Sequence, residues 1–277
     1  MELLIGADPE FALIHKRRDG EERSVNAYRI CGRSHKFGCD GRQDTAEIRP
    51  EPADSPQELI THIYECFYEG LKLTNAGRYF WKAGSYVTGK PLGGHIHFNY
   101  NSPPGEFFRA LDHLLGVPIA TLEDQEERHH RCYSYGSFYS YRGQDWGVEY
   151  RTPASWLVSK GIAFGVLSIA FAIFYEFKKG HPAKKKIDNF SPVRDEVAWT
   201  SEGKTDRIFN LIRRLSYFET NREALAGAFF IKQRIDSKKS WDNGRDIKER
   251  WGIKVNTGRQ KFDPEDVWEK ARGGEII

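Results

Sequence analysis

The stretch GIAFGVLSIAFAIFY, residues 161–175, runs fifteen positions without a charge. Such a segment must be taken out of water along its whole length. A membrane-spanning helix needs about 20 predominantly apolar residues, and Lys160 and Glu176 bracket this one too closely. The expectation is a helix buried in a protein core, which other elements must cover on every side. The chain can supply them: 277 residues, 39% hydrophobic and 14% aromatic, with 29% charged side chains to keep the surface wet. That length allows one large domain or two small ones.

The covering elements are legible in part. Residues 2–15 read as a strand broken by Gly6 and Pro9, and residues 21–49 as short polar strands around a loop at FGCDGRQD, where Asp40-Gly41 signals a turn. TAEIRP reads as a strand ending at Pro50. In DSPQELITHIYECFYEG, Ser55 can cap a helix, Pro56 suits its first turn, and Glu58 sits three residues after the cap. Leu59, Ile60, Ile63, Tyr64 and Phe67 form the apolar stripe, and Gly70 is the expected end. Strands are expected over 79–88 and 92–100, with a simple hairpin loop at TGKPLGG. Helices are expected over 105–115 and 117–130, a strand at WGVEYRTPAS, and helices again over 204–234. After residue 236 the chain is charged, with isolated tryptophans at 241, 251 and 268.

Four strand-like segments place polar residues two apart, and so on one face: Asp8 with Glu10, Glu47 with Arg49, His95 with His97, Glu149 with Arg151. Each pair alone has an ordinary reading, as a same-strand ion pair worth little or a polar surface. Repetition over four segments points elsewhere. Carboxylates with an imidazole can hold a hard divalent cation. Arginines on the same faces would repel a bare metal, and make sense when an anion such as phosphate or a substrate carboxylate lies between.

Other chemistries lack their signatures. The chain has no Walker loop, no G-x-G-x-x-G after a strand and no G-x-S-x-G elbow. Its four cysteines form no C-x-x-C pair and the start does not read as a signal peptide, so a cytoplasmic location is expected. Residues 178–277 carry 23 of the 42 basic and 16 of the 39 acidic side chains. This excess can meet an anionic partner, but a solvated helical surface is the plainer reading, and neither a nucleic-acid nor a membrane partner is expected.

GADPEF at the start, DG and AEIRP within 40–50, GGHIHF at 93–98, YGSFYSYR and GVEYRTPASW occur in the order found in phage amidoligases. The chain therefore resembles the carboxylate–amine (COOH-NH2) ligase type 2 family of the glutamine synthetase and glutamate–cysteine ligase superfamily. The resemblance covers roughly residues 3–175. It implies an α+β fold, a glutamine synthetase-like curved antiparallel sheet with helices packed on its outer face. It also implies an ATP- and Mg2+-using enzyme that forms an amide or peptide bond through an acyl phosphate. By the same resemblance Glu10, Glu47, His97 and Glu149 are metal-side residues. Arg142 and Arg151 serve phosphate or the acyl group, with Arg49 and His95 as further nucleotide-side residues. His97, Arg142, Glu149 and Arg151 then form the catalytic set, and Asp145 or Glu149 can accept the amine proton. Residues 1–180 are expected to form the catalytic core, and residues 181–277 a basic helical part packed on it. Substrates would be small-molecule or peptide carboxylates and amines, including a protein or cell-wall peptide, in the host cytoplasm if the gene is a phage's. A metal-dependent hydrolase using the same acids, or a nucleic-acid-binding or structural protein, is the alternative.

Overall fold

The computed structural model describes residues 2–41, 43–74, 78–181, 184–193, 204–241 and 244–253. Trp268 and the rest of residues 254–277 lie outside them. The first strand-like segment divides where Pro9 lacks an N–H to donate: β1 is Ile5–Ala7 and β2 is Glu10–Lys16. There follow β3 (Glu22–Ser24), a five-residue helix α1 (Ala27–Cys31), β4 (Phe37–Cys39) and β5 (Ala46–Ile48). The segment expected to be loop at FGCDGRQD thus begins with a strand.

Helix α2 spans Pro56–Leu73, and the Ser55 side chain accepts from the Glu58 N–H as the capping pattern requires. Gly70 does not end it. This glycine lies inside the last turns, where a Cβ would stand 2.2 Å from Cε2 of Phe37, so its role is close approach to β4. Short strands β6 (Phe80–Lys82), β7 (Tyr86–Val87), β8 (Lys90–Pro91) and β9 (Ile96–Phe98) come next. The hairpin expected to join 79–88 to 92–100 is smaller than that: β7 pairs with β8 across Thr88-Gly89, so Lys90 and Pro91 of TGKPLGG are strand, and β6 and β9 pair with strands elsewhere. Helix α3 (Gly105–Leu111) passes through a π-helical turn at Asp112–Gly116 into α4 (Val117–Leu122), and α5 covers Gln125–Cys132. A second hairpin, β10 (Tyr141–Gln144) and β11 (Gly147–Tyr150), precedes the apolar helix α6 (Lys160–Lys179).

Helix α6 is apolar and long enough to cross a membrane, yet 83% of its apolar window is buried inside the protein. It packs against α2, α3 and the helix Arg222–Asp236. A Cβ on Gly165 would lie 2.5 Å from the Gly227 carbonyl, so the last crossing depends on two small residues facing each other. The core joins Phe98 and Ile96 of the sheet to Phe107, Phe174 and Phe177 of the helices. The described residues of the charged segment after 236 also dock. Trp241 and Trp251 are buried, and Trp251 donates its indole N–H to the Leu157 carbonyl at 2.8 Å.

The sheets correct one expectation. The strands do not form a single curved sheet. Among the described residues they divide into three open ones, none closed or strongly curled: four strands in the order β1-β9-β11-β10, five around the long strand β2, and the two-stranded hairpin β7-β8. Coiling accumulates along a strand, and β1, β4, β5 and β9 are only three residues each. Pro9 also breaks the chain between the two larger sheets. What survives of the expectation is an α+β fold with helices packed on sheet.

Candidate active site

The two larger sheets meet at Asp8-Pro9, and the polar pairs face one another there. In the five-stranded sheet Glu10 of β2 is the register partner of Glu47 of β5. In the four-stranded sheet His97 of β9 is the register partner of Glu149 of β11. Asp8, in the link between β1 and β2, accepts the approach of both histidines. Its Oδ1 lies 3.2 Å from His95 Nδ1 and 3.0 Å from His97 Nε2. The link is held by backbone bonds from Asp8 N–H to the His95 carbonyl and from Glu10 N–H to the Gly93 carbonyl.

Two clusters result, each able to present three ligand atoms within 4.8 Å of one another: Asp8, His97 and Glu149, and Glu10, Asp40 and Glu47. The four expected metal-side residues are thus brought together, but two in each cluster. An aspartate completes each: Asp8, whose plainer reading is a turn former before proline, and Asp40, which reads in the sequence as half of a turn signal.

Electrostatics shows that bare acids are poorly accommodated. Burial, then the neighbouring Asp8 carboxylate, push the Glu47 carboxyl up to about 9, and burial raises Glu10 as well. Burial also acts to raise Asp8, but the two imidazoles outweigh it and hold Asp8 below the ordinary carboxylate range. Burial disfavours the charged form of His95, yet Asp8, Glu10 and Glu149 together raise it. Asp8 Oδ1, His97 Nε2 and Glu149 Oε1 are all buried, and what each approaches is another titratable group: Asp8 meets His97 and His95, and Glu149 Oε1 meets His95 and Arg151. Two carboxylates and an imidazole that converge in this way, with ligand atoms within 4.8 Å of one another, fit a divalent cation.

Glu149 is fully buried and is the hub. Arg142 Nε donates to its Oε2 at 2.6 Å, Gln144 donates to the same oxygen at 3.0 Å, and Arg151 and His95 approach Oε1 at 3.3 and 3.2 Å. Arg142, Arg151, His95, Asp8, Glu10, Asp40 and Glu47 all line one cleft of 270 Å³. Arg49 does not line it. Its guanidinium pairs with Glu47 at 2.7 Å and donates to the Ser34 and Cys39 carbonyls, so it braces Glu47 from outside. His97 does not line it either, and packs on Trp146 with ring centroids 5.8 Å apart. Gly93 serves His95 directly, for a Cβ there would meet His95 Nε2 at 2.3 Å.

Two residues went unread in the sequence. Tyr135 donates its hydroxyl to Glu10 Oε2 at 2.5 Å, and its ring lies under the guanidiniums of Arg131 and Arg151 at 5.4 and 5.6 Å. Arg131 is entirely buried and donates to the carbonyls of Leu92, Thr152 and Pro153 at 3.0, 2.9 and 2.7 Å. It ties the approach to β9 to the segment just after β11, and so fixes His95 against Arg151. In the sequence Arg131 is one more charge in EERHHR; it is buried together with Arg128, three residues earlier on the same helix face, and a run this polar does not reveal that a face of it is buried.

Paired carboxylates with imidazole, beside partly exposed arginines anchored on Glu149, together with the family match that follows, define a metal- and nucleotide-using enzyme. Residues 5–253 match the family described as phage phiEco32-like COOH.NH2 ligase-type 2, and the chain belongs to that family. The match runs past residue 180 to take in the helices packed on α6. No curated protein matches the sequence. Among solved structures, the ligase PafA in complex with the prokaryotic ubiquitin-like protein Pup superimposes with a TM-score of 0.55 at 10% identity, over 86% of this chain and 65% of that one. A bifunctional glutathione synthetase from Pasteurella multocida gives 0.47 at 10% identity, over 99% and 53%. Plasmodium falciparum glutamine synthetase gives 0.45 at 9% identity, over 86% and 73%. The chain spans less than two thirds of the length of the first two. The first likeness establishes a shared fold.

Proposed function

We propose that the protein activates a carboxylate with ATP, using Mg2+, and joins it to an amine as an amide or peptide bond. The observation that carries this is the convergence of two acid clusters and two arginines on the seam between two sheets, in a chain of a carboxylate–amine ligase family. ATP would supply the phosphoryl group that turns a poor acyl donor into a good one, and Mg2+ would neutralise its phosphates.

The chain's own residues divide the remaining work. Glu10, Asp40 and Glu47 would hold one cation, and Asp8, His97 and Glu149 another. Arg142 and Arg151, anchored on Glu149, would meet charge developing on transferred oxygens. Both keep contact with solvent, with side chains 56% and 30% exposed, so neither charge is sealed away from a ligand. Tyr135 and His95 would fix the orientation of Glu10 and Glu149. When the amine nitrogen bonds to the acyl carbon, phosphate departs with the electron pair of the broken bond, and the nitrogen gives up a proton. Glu149 is occupied by four neighbours, which leaves Asp145 as the remaining candidate acceptor. The carboxylate and amine are proposed to be small molecules or peptide side chains. The likeness to a Pup ligase supports that class in fold only.

Thermal melts with millimolar Mg2+·ATP test this reading. A ligand at about 100 times its Kd stabilises by about 2.7 kcal/mol, which for a chain of this size raises the midpoint by roughly 5–10 °C. Chelator should abolish the rise. No shift with Mg2+·ATP would overturn the proposal and favour a hydrolase.

A further inference from the structure

We infer that a second cleft, on the outer side of β10, is the subsite for the amine, and that it takes an organic cation: a protonated amine carried on an apolar or aromatic body. The inference rests on the ligase reading above. β10 is the edge strand of its sheet. It sends Arg142 and Gln144 to Glu149. Its other side helps to wall a cleft of 580 Å³ that contains Phe108, Tyr139, Tyr141, Gln144 and Asp145.

Three features give this cleft a ligand. Its walls are aromatic and fixed. Tyr141 stacks on Phe108 with centroids 3.7 Å apart and meets Tyr139 edge-on at 5.2 Å, while Tyr139 and Tyr141 stay 42% and 44% exposed. Tyr139 is held at φ +64°, a conformation costly for a residue with a large side chain. Buried Asp112 in the π-helical turn enforces it, accepting from the Tyr139 N–H at 2.8 Å and from the Tyr150 hydroxyl at 2.7 Å. Asp145, exposed in the β10–β11 turn, is the one charged residue among the described residues lining the cleft. Aromatic faces and a single carboxylate attract a cation and repel an anion.

Position connects the cleft to the chemistry. Gln144 both lines it and donates to Glu149 Oε2 at 3.0 Å, so one residue borders the amine subsite and the cation cluster. The two substrates are then sorted by sign: the carboxylate to the arginine side, the ammonium to the acid and aromatic side.

Calorimetry on the full chain, with and without Mg2+ and a non-hydrolysable ATP analogue, tests this with benzylamine and 1,5-diaminopentane as probes and glutamate as the anionic control. Both cationic probes should bind and glutamate should not displace them. Asp145→Asn and Tyr141→Ala should each weaken probe binding by about tenfold. Asp145→Asn preserves shape at an exposed turn, so it remains informative if Tyr141→Ala unfolds. Absence of probe binding to the wild type, or undiminished binding in Asp145→Asn, would overturn the inference. Nucleotide that binds while the probes do not sinks the amine subsite alone. Failure of the nucleotide to bind counts against the ligase reading, and the probes still test the cleft in its absence.

Discussion

Glu149→Gln should reduce ATP-dependent ligation by about 10²–10³-fold, the scale of losing a group that stabilises transition-state charge, while leaving the fold intact. Glutamine keeps the length and shape of the side chain and can still accept from Arg142 and Gln144. It loses the charge that holds Arg142, Arg151 and His95 and that would hold a cation. Breaking a buried ion pair commonly costs about 3–5 kcal/mol because a charge is left uncompensated. Here the main partner, Arg142, is 56% exposed and can be solvated, so the stability cost should fall well below that range. Hydroxamate formation measured beside a thermal melt separates the effects. A variant that melts normally and turns over normally would remove Glu149 from the site.

Arg131→Met should show the reverse pattern, with stability lost first. The side chain is fully buried and its hydrogen-bond partners are backbone carbonyls of Leu92, Thr152 and Pro153. Replacing a buried charged group by an apolar one is often neutral when both partners can be replaced. Backbone carbonyls cannot be, and each one left buried without a donor costs about 1–3 kcal/mol. Burial disfavours the Arg131 charge itself, which offsets part of the loss. A net cost of about 3–5 kcal/mol is expected, lowering the melting midpoint by roughly 6–15 °C. A midpoint unchanged within 2–3 °C, about 1 kcal/mol for a chain of this size, would show that Arg131 does not hold the seam.

What was legible followed from how local each signal is. The fifteen uncharged residues could only be a buried helix, and α6 is one. Ser55, Pro56 and Glu58 are neighbours in sequence, so the start of α2 could be read, while its end could not, because Gly70 answers to Phe37 of a distant strand. The polar pairs were readable as sharing faces, since alternation is a property of one strand. Which faces meet is a property of pairing, and nothing in AEIRP says that Glu47 lies opposite Glu10. This is why three acids and a histidine, Glu10, Glu47, Glu149 and His97, read as one set and appear in space in two clusters. Asp40 was hidden for the same reason. Aspartate before glycine is ordinary turn chemistry, and its approach to Glu10 and Glu47 depends on β4 and β5, three residues each. The single curved sheet came with the family resemblance, and short strands divided by Pro9 replaced it with separate open sheets.

Trapping with hydroxylamine tests the central claim most directly, because this small nucleophile captures an activated carboxylate without needing the true amine. The protein is incubated with Mg2+, ATP, hydroxylamine and a mixture of amino acids and peptides as carboxylates. The account predicts hydroxamate, with phosphate released in at least equal amount, both abolished when ATP or Mg2+ is left out. Cleavage of peptides or phosphoesters at the same rate without ATP, and no hydroxamate with it, would contradict the account.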